Sequence, residues 1–294
     1  MKTAADLRKI DYGYKDFIEQ IRTEYGHTAS SHAFVSLYLW QKCMNLSLLC
    51  EKDFFAVKCG GDSENMWFFP CGNPEKTYGF ICENISDKSF SLCYLRDCDK
   101  EFLEDKFPGK WSFRHADESD EYICGIEEYI NLAGGRFSEI RRKIRKIDKT
   151  CTVTVREICD ETIADAVKVC DKWYETEHST GKNGLTDDMI AEKALNERKQ
   201  LGINGIIMYA DSIPVSVFAG FPLSYDTADV LIGKCTPAAP SGTAYYALHE
   251  YIKTLSGKFT YCNHEEDLGI EGIRTMKESL CPIRKARMWE AFLI

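Results

Sequence analysis

The sequence predicts an α/β protein in which mixed sheets are covered by helices and the chain divides into two domains. Three observations lead there. At 294 residues the chain exceeds the usual size of one hydrophobic core. It is 44% hydrophobic and 12% aromatic, which supplies ordinary cores and is unlike a disordered chain. Stretches of period-two alternation interleave with stretches of helical spacing, the pattern of strands and helices in mixed order.

Composition narrows the function classes. The formal charge is -9 and the pI about 5.3. The protein as a whole is therefore not a polyanion binder, and contact with nucleic acid or anionic lipid needs a local basic patch. The 14 cysteines are scattered from Cys43 to Cys281 without a CxxC pair, and no His stands at a ligand spacing near the closest two, Cys93 and Cys98. No metal site is expected from that pattern. The stretch MKTAADLRKIDYGYKDF lacks the apolar core of a signal peptide. No apolar run approaches the ~20 residues of a spanning helix. The expectation is a cytoplasmic protein with reduced thiols, contact with a membrane surface being left open.

SSHAFVSLYLWQKCM (30–44) carries Phe34, Leu37, Leu39, Trp40 and Met44, mostly at helical spacing. Three short strands follow, broken at Glu51–Asp53 and at the turn GGDSEN, residues 60–65. Helices are expected over 75–86 and 99–107, with the strand FSLCYLR (90–96) between them. DEYICGIEEYINLAGG (120–135) reads as a strand or turn and then a helix stopped by Gly134 and Gly135. In RFSEIRRKIRKIDK (136–149), Phe137, Ile140, Ile144 and Ile147 form an apolar stripe. Up to residue 147, Arg136, Arg141, Arg142, Lys143, Arg145 and Lys146 are set against the single acid Glu139. That is an amphipathic helix with a cationic back. Its charge reads either as a solvated face or as a surface for phosphates of RNA, a nucleotide or lipid.

From 151 the pattern changes: TVTVREI is an alternating strand, 161–178 a helix, and a loop with Gly181 and Gly184 leads to a second helix over 187–202. Residues 202–236 form a β-meander turning at ADSIP and SYDTA. SGTAYYALHEYIKTLSG (241–257) is a helix with Tyr245, Leu248, Ile252 and Leu255 on one face. FTYCN (259–263) is a strand, 271–280 a helix, and RKARMWEAFLI a final strand. This order, β-α-α-β-β-β-α-β-α-β, is that of a GNAT-like N-acyltransferase domain. The looser first half has the element order of a diverged copy. Two tandem GNAT-like domains are expected, 1–150 and 151–294.

Two stretches could carry chemistry. In KCTPAAPSGTAYYALHEY (234–251), Ser241, Gly242 and Thr243 stand where a strand-to-helix loop could present N–H groups to the phosphates of an acyl-CoA. The usual pair of spaced glycines is absent, and a plain loop with Ser241 or Thr243 as cap reads equally well. Tyr245, Tyr246 and His249 on the same helix read more simply as packing residues. In YCNHEEDLGIEGIRTMKESLCP (261–282), Glu265, Glu266 and Asp267 precede a helix carrying Arg274 and Lys277 on one face. One acid is explained by the helix dipole; three are not. Carboxylates with a cation pair suit an amino group and a phosphate held together, or a structural ion-pair network.

NHEEDLGIEGIRTMKESLCP resembles the N-x-E-x-D-L-G-(x)2-G-(L/I)-R-(x)2-K-x-S-Y-x-P signature of the phosphatidylglycerol lysyltransferase C-terminal domain family. Asn263, Glu265, Asp267, Leu268, Gly269, Gly272, Arg274, Lys277, Ser279 and Pro282 match it. SSHAFVSLYLWQ, MWFFPCGN and DEYICGIEEYINLAGGRFSEIRRKI resemble upstream elements of the same family, so the likeness runs along nearly the whole chain. Arg141-Arg142 stands where the family has Arg-Asn, and Leu280 where it has Tyr. No counterpart of the transmembrane domain of lipid-modifying members is expected within these 294 residues. In characterised members the resemblance implies transfer of an aminoacyl group from aminoacyl-tRNA to a lipid hydroxyl, the acceptor of this chain being left open. Asp267 or Glu265 would then hold the α-amino group of the donor. Arg274 and Lys277 would hold a donor or acceptor phosphate, with Asn263 beside them. Arg141 and Lys143 would contact tRNA or lipid phosphate on the basic helix 136–146. The rival readings are an acetyl-CoA-dependent N-acetyltransferase and a binding protein on the same scaffold.

Overall fold

The computed structural model describes residues 7–60, 65–179 and 188–294. The middle of the turn expected at 60–65 and the loop with Gly181 and Gly184 lie outside the described residues. The chain forms two compact units. One comprises Met1–Glu121, Glu266–Ile270 and Lys285–Ile294; the other comprises Tyr122–Glu265 and Glu271–Arg284.

The first unit opens with α1 (Lys15–Glu24) and α2 (Phe34–Trp40). Strands β1 (Ser47–Glu51), β2 (Phe54–Cys59), β3 (Asn65–Phe68) and β4 (Cys71–Gly72) precede α3 (Pro74–Asn84). The Asn73 side chain caps α3 by accepting from the N–H groups of Glu75 and Lys76, and Pro74 takes the first helical position. Then come β5 (Phe90–Leu95), α4 (Asp97–Lys106) and β6 (Trp111–His115).

The second unit runs through β7 (Glu121–Gly125), α5 (Ile126–Asn131), α6 (Ser138–Thr150), β8 (Val153–Glu157), α7 (Ile163–Ser179), α8 (Asp188–Asn196) and α9 (Arg198–Leu201). It continues with β9 (Asn204–Ala210), β10 (Ile213–Pro222), β11 (Thr227–Cys235), α10 (Thr243–Leu255), β12 (Tyr261–Asn263) and α11 (Glu271–Ser279). The expected final strand divides into β13 (Arg284–Ala286) and β14 (Trp289–Leu293).

Among the described residues each unit has one mixed sheet. The order in the first is β1-β2-β3-β5-β14-β6, with β4 beside β2. The order in the second is β13-β7-β12-β11-β10-β9-β8. The last strand of the chain thus completes the first sheet, pairing antiparallel with both β5 and β6. Conversely, β7 pairs with β12 in the second sheet. The boundary expected at 150 falls inside the second unit, because α6 buries Ile140 and Ile147 in that unit's core.

Alternation explains both cores. Phe54, Phe80, Phe90, Leu92, Leu103 and Trp111 belong to the first. Ile206, Met208, Val215, Ala247, Ile252 and Cys262 belong to the second. In the second sheet β11 and β12 run parallel, but their pairing covers only Thr227↔Tyr261 to Asp229↔Asn263. β11 continues to Cys235. The C-terminal end of a parallel pair is where open α/β sheets place ligands.

Candidate functional site

The acidic turn is divided between the units, Glu265 in the second and Glu266 and Asp267 in the first. Two of its non-glycine residues, Glu265 and Leu268, have left-handed φ values of 55° and 56°. That conformation is costly for side-chain-bearing residues and recurs where surrounding structure enforces a site geometry. In the first unit Asp267 is fully buried. Its Oδ1 accepts from Gly269 N at 2.8 Å, and its carbonyl accepts from Ile270 N at 3.0 Å. Leu268 N donates to the Glu118 carbonyl at 2.9 Å. The carboxylate therefore shapes the turn that carries it.

Tyr94, which sequence reasoning did not single out, also meets this turn. Between Leu92 and Leu95, β5 carries one residue more than the facing stretch Ala291–Trp289 of β14. The resulting bulge gives Tyr94 a φ of 53°, an outlier for a bulky residue. Its hydroxyl approaches Glu266 Oε1 at 3.5 Å. Burial, and then the Glu266 charge, push the phenol well above its usual range, so it stays a proton donor. Nothing in an alternating strand signals such a bulge.

In the second unit Asn263 is buried, and its Oδ1 accepts from Glu265 N at 2.8 Å. The Glu265 carbonyl accepts from Tyr122 N at 3.3 Å, and His264 N donates to the Tyr122 carbonyl at 2.9 Å. Lys277 lies with its Nζ 6.0 Å from the centre of that Tyr122 ring. Arg274 is half-buried one turn earlier on α11. Ser279, at the end of α11, shares a 2.8 Å hydrogen bond with the Tyr245 hydroxyl of α10. Leu280, which departs from the family pattern, is a core residue.

Directly opposite one another on β7 and β12 are Cys124 and Cys262. Cys262 Sγ is 3.4 Å from His264 Nε2 and 3.7 Å from the Cys124 carbonyl. The Cys262 thiol, as hydrogen-bond partner, draws the Cys124 thiol down to about 5 against the opposing effect of burial. Among the described residues no group of three His, Cys, Asp or Glu side chains could hold a metal ion.

The structure brings Lys143 and Gly242 together. Gly242 is the N-cap of α10, with φ 103° and no side-chain cap. Neither Ser241 nor Thr243 serves as cap; the Thr243 hydroxyl instead donates to the Pro240 carbonyl at 2.6 Å. A Cβ at Gly242 would lie 2.7 Å from the Lys143 carbonyl, so α6 covers this end of α10. The N–H groups of Tyr245 and Tyr246 are satisfied by the Gly242 carbonyl, each at 3.1 Å. Lys143 Nζ lies 4.0 Å from the Tyr245 ring centre. Arg141 Nη1 donates to the carbonyls of Leu132 and, at 2.7 Å, Gly134, which ties down the loop after α5. The other cations of α6 are disposed differently. Arg142 pairs with Glu139 on its own helix, while Arg145, Lys146 and Lys149 are exposed and form no ion pair among the described residues.

The model of the phosphatidylglycerol lysyltransferase, C-terminal, family matches residues 22–291. No curated protein matches the sequence. A conserved protein of unknown function from Bacteroides thetaiotaomicron VPI-5482 has a similar structure, with TM-score 0.88 and 21% identity over 98% of this chain and 99% of that one. The structure of L-PGS from Bacillus licheniformis matches with TM-score 0.66 and 13% identity over 97% and 92%. A tandem GNAT protein from the clavulanic acid biosynthesis pathway matches with TM-score 0.50 and 6% identity over 97% of each chain. At these identities the structural likenesses speak for the fold, which is of the tandem GNAT type. Among the described residues no helix is long and apolar enough to cross a membrane.

Proposed function

Because the chain belongs to the phosphatidylglycerol lysyltransferase C-terminal family, we propose that it transfers an aminoacyl group from aminoacyl-tRNA to an acceptor. Family and fold support a transferase; the donor is our reading. The observation that carries it is the matched motif itself, which keeps its acid and its two cations and sets a fully buried Asp267 in a turn with left-handed backbone on both sides. Asp267 and Glu265 are read as recognising the α-amino group, and Arg274 and Lys277 a phosphate. Acyl transfer needs such fixed charges where charge develops at the carbonyl.

The tRNA backbone is assigned to the outer face of α6, to Arg145, Lys146 and Lys149 in place of Arg141 and Lys143. Ile140 and Ile147 hold the apolar face of this helix in the core, so it has no free face with which to enter a bilayer. The acyl-CoA alternative has less support, since the Lys143 carbonyl packs against Gly242 where a pyrophosphate would approach.

The test is a donor screen on the purified protein with labelled aminoacyl-tRNA or acetyl-CoA and phosphatidylglycerol vesicles or small-molecule acceptors. Aminoacyl transfer is expected. Asp267→Asn keeps an acceptor for Gly269 N and should lower that transfer by about 100-fold. Consumption of acetyl-CoA alone would overturn the donor assignment, and unchanged transfer in Asp267→Asn would remove Asp267 from the reaction. Arg145→Glu with Lys149→Glu should raise the KM for tRNA and flatten its salt dependence.

A further inference from the structure

A cavity of about 430 Å³ opens in the second unit, beside the start of the loop between β11 and α10. That is within the range of small-ligand sites, roughly 300–1,000 Å³. Where β11 ends and β10 begins, Ile213, Pro214, Val215 and Pro237 line the cavity. Thr236 N donates to the Val215 carbonyl at 2.9 Å and fixes the two stretches side by side. The C-terminal half of α7 adds Lys172, Glu175 and Thr176 to the lining. Ile213 stays 59% exposed, an apolar side chain left in water beside three prolines of the same hollow.

Among the described residues three charged side chains line the cavity, Glu175, Asp211 and Lys172, an excess of one negative charge. Lys172 and Glu175 lie three residues apart on the exposed side of α7, and neither takes part in an ion pair among the described residues. Asp211 is held in place. Its φ is 49°, its Oδ1 accepts from Thr152 N at 2.9 Å, and its own N–H donates to the Thr152 carbonyl at 2.9 Å. The second carboxylate oxygen makes no bond among the described residues. The apolar part of the lining rewards a hydrocarbon chain, whereas two carboxylates to one ammonium reward a cation and penalise an anion.

We propose that this cavity binds a small aliphatic primary amine, its chain against Ile213 and Pro237 and its ammonium between Glu175 and Asp211. Its charged residues, Lys172, Glu175 and Asp211, are none of those assigned to the donor above.

The experiment follows the Ile213 methyl in the full chain, labelled with 13C at isoleucine δ1 positions, during titration with n-pentylamine at neutral pH. Pentanol and pentanoate are the controls. A saturable shift is expected with pentylamine, at least about tenfold stronger than with pentanol, from charge-assisted hydrogen bonds. Glu175→Gln combined with Asp211→Asn should weaken pentylamine binding by about tenfold and leave pentanol unchanged. Asparagine keeps the acceptor for Thr152 N and tolerates the left-handed backbone. Unmoved methyls elsewhere would verify the fold. Should that double variant perturb them, Glu175→Gln alone, on an exposed helix surface, carries the test with about a threefold loss expected. An immobile Ile213 methyl, equal binding of pentanol, or equal binding by the variants would each overturn the assignment.

Discussion

Gly220→Ala is expected to unfold the second unit or leave it largely insoluble. Gly220 lies in β10 between Ala219 and Phe221, where β11 carries one extra residue across the pair. The two backbones approach so closely that an added Cβ would fall 1.7 Å from the Asp229 carbonyl oxygen. The Tyr251 hydroxyl of α10 would be 2.9 Å away. The main obstacle is backbone in the middle of a buried sheet, not a flexible side chain that could swing aside. Relief requires β10 and β11 to part, at a cost of about 3 kcal/mol or more. Such a loss is a large share of a stability that is typically 5–15 kcal/mol. Urea unfolding followed by circular dichroism measures it. A midpoint within experimental error of the parent's would mean that β11 bends away freely at Asp229.

Acid should destabilise the first unit well before its carboxylates titrate. His27 and His32 are buried, with ring centres 3.9 Å apart. His32 Nε2 is 2.8 Å from the Phe69 carbonyl, which can only accept, so that nitrogen carries the proton of the neutral ring. Nδ1 then takes the Ser31 hydroxyl at 3.0 Å. Burial, and after it the charges of Arg96 and Arg22, hold His32 down at about 3. Burial, with His32, Arg96 and Arg22 adding to it, also holds His27 well below its ordinary value.

Unfolded histidines titrate near ~6.5, so between that pH and the folded value the unfolded chain binds more protons than the folded one. Stability therefore falls as pH drops below about 6.5 and stops falling near the folded pKa. His32 alone removes about 2 kcal/mol between pH 6.5 and 5, and His27 acts in the same direction. Among the described residues neither His27 nitrogen has a hydrogen-bond partner. His27→Leu should therefore keep or raise stability at pH 7 and make the acid slope shallower. Urea midpoints at pH 7, 6 and 5 decide this. Parallel slopes for the parent and His27→Leu would show that His27 becomes protonated in the folded protein.

The two units were unequally legible in the sequence. The second half reads almost element for element, because β8 through α11 alternate cleanly between periods of two and 3.6. The order of those elements identifies the fold. The first half hides α1 and β6. In α1 the buried face holds Arg22 beside Ile18 and Ile21, and the cation cuts the apolar stripe short. In β6 only Trp111 and Phe113 carry the alternation, while Arg114 and His115 continue it into solvent. The helix expected over 30–44 shrinks to Phe34–Trp40, since Ala33 is extended and Ser30 is held by Glu121 through its N–H and its hydroxyl, both at 2.7 Å.

Among the site residues, the motif positions could be read, but their backbone could not. Left-handed Glu265 and Leu268, the Tyr94 bulge and the cover of α6 over Gly242 are products of tertiary packing. The basic helix shows the same limit. Sequence counts its cations, and only the fold separates Arg141, spent on two carbonyls, from Arg145, Lys146 and Lys149.

The place of β14 between β5 and β6 has a consequence for biosynthesis. Domains made first usually fold first as the chain leaves the ribosome. Here the first sheet lacks an interior strand until Trp289–Leu293 has emerged, by which time every residue of the second unit has been synthesised. Until then β5 and β6 each present an open edge, the surface on which nascent chains pair wrongly with one another. A chain ending before Trp289 would keep those edges permanently and should be found in the insoluble fraction, even though its second unit is complete.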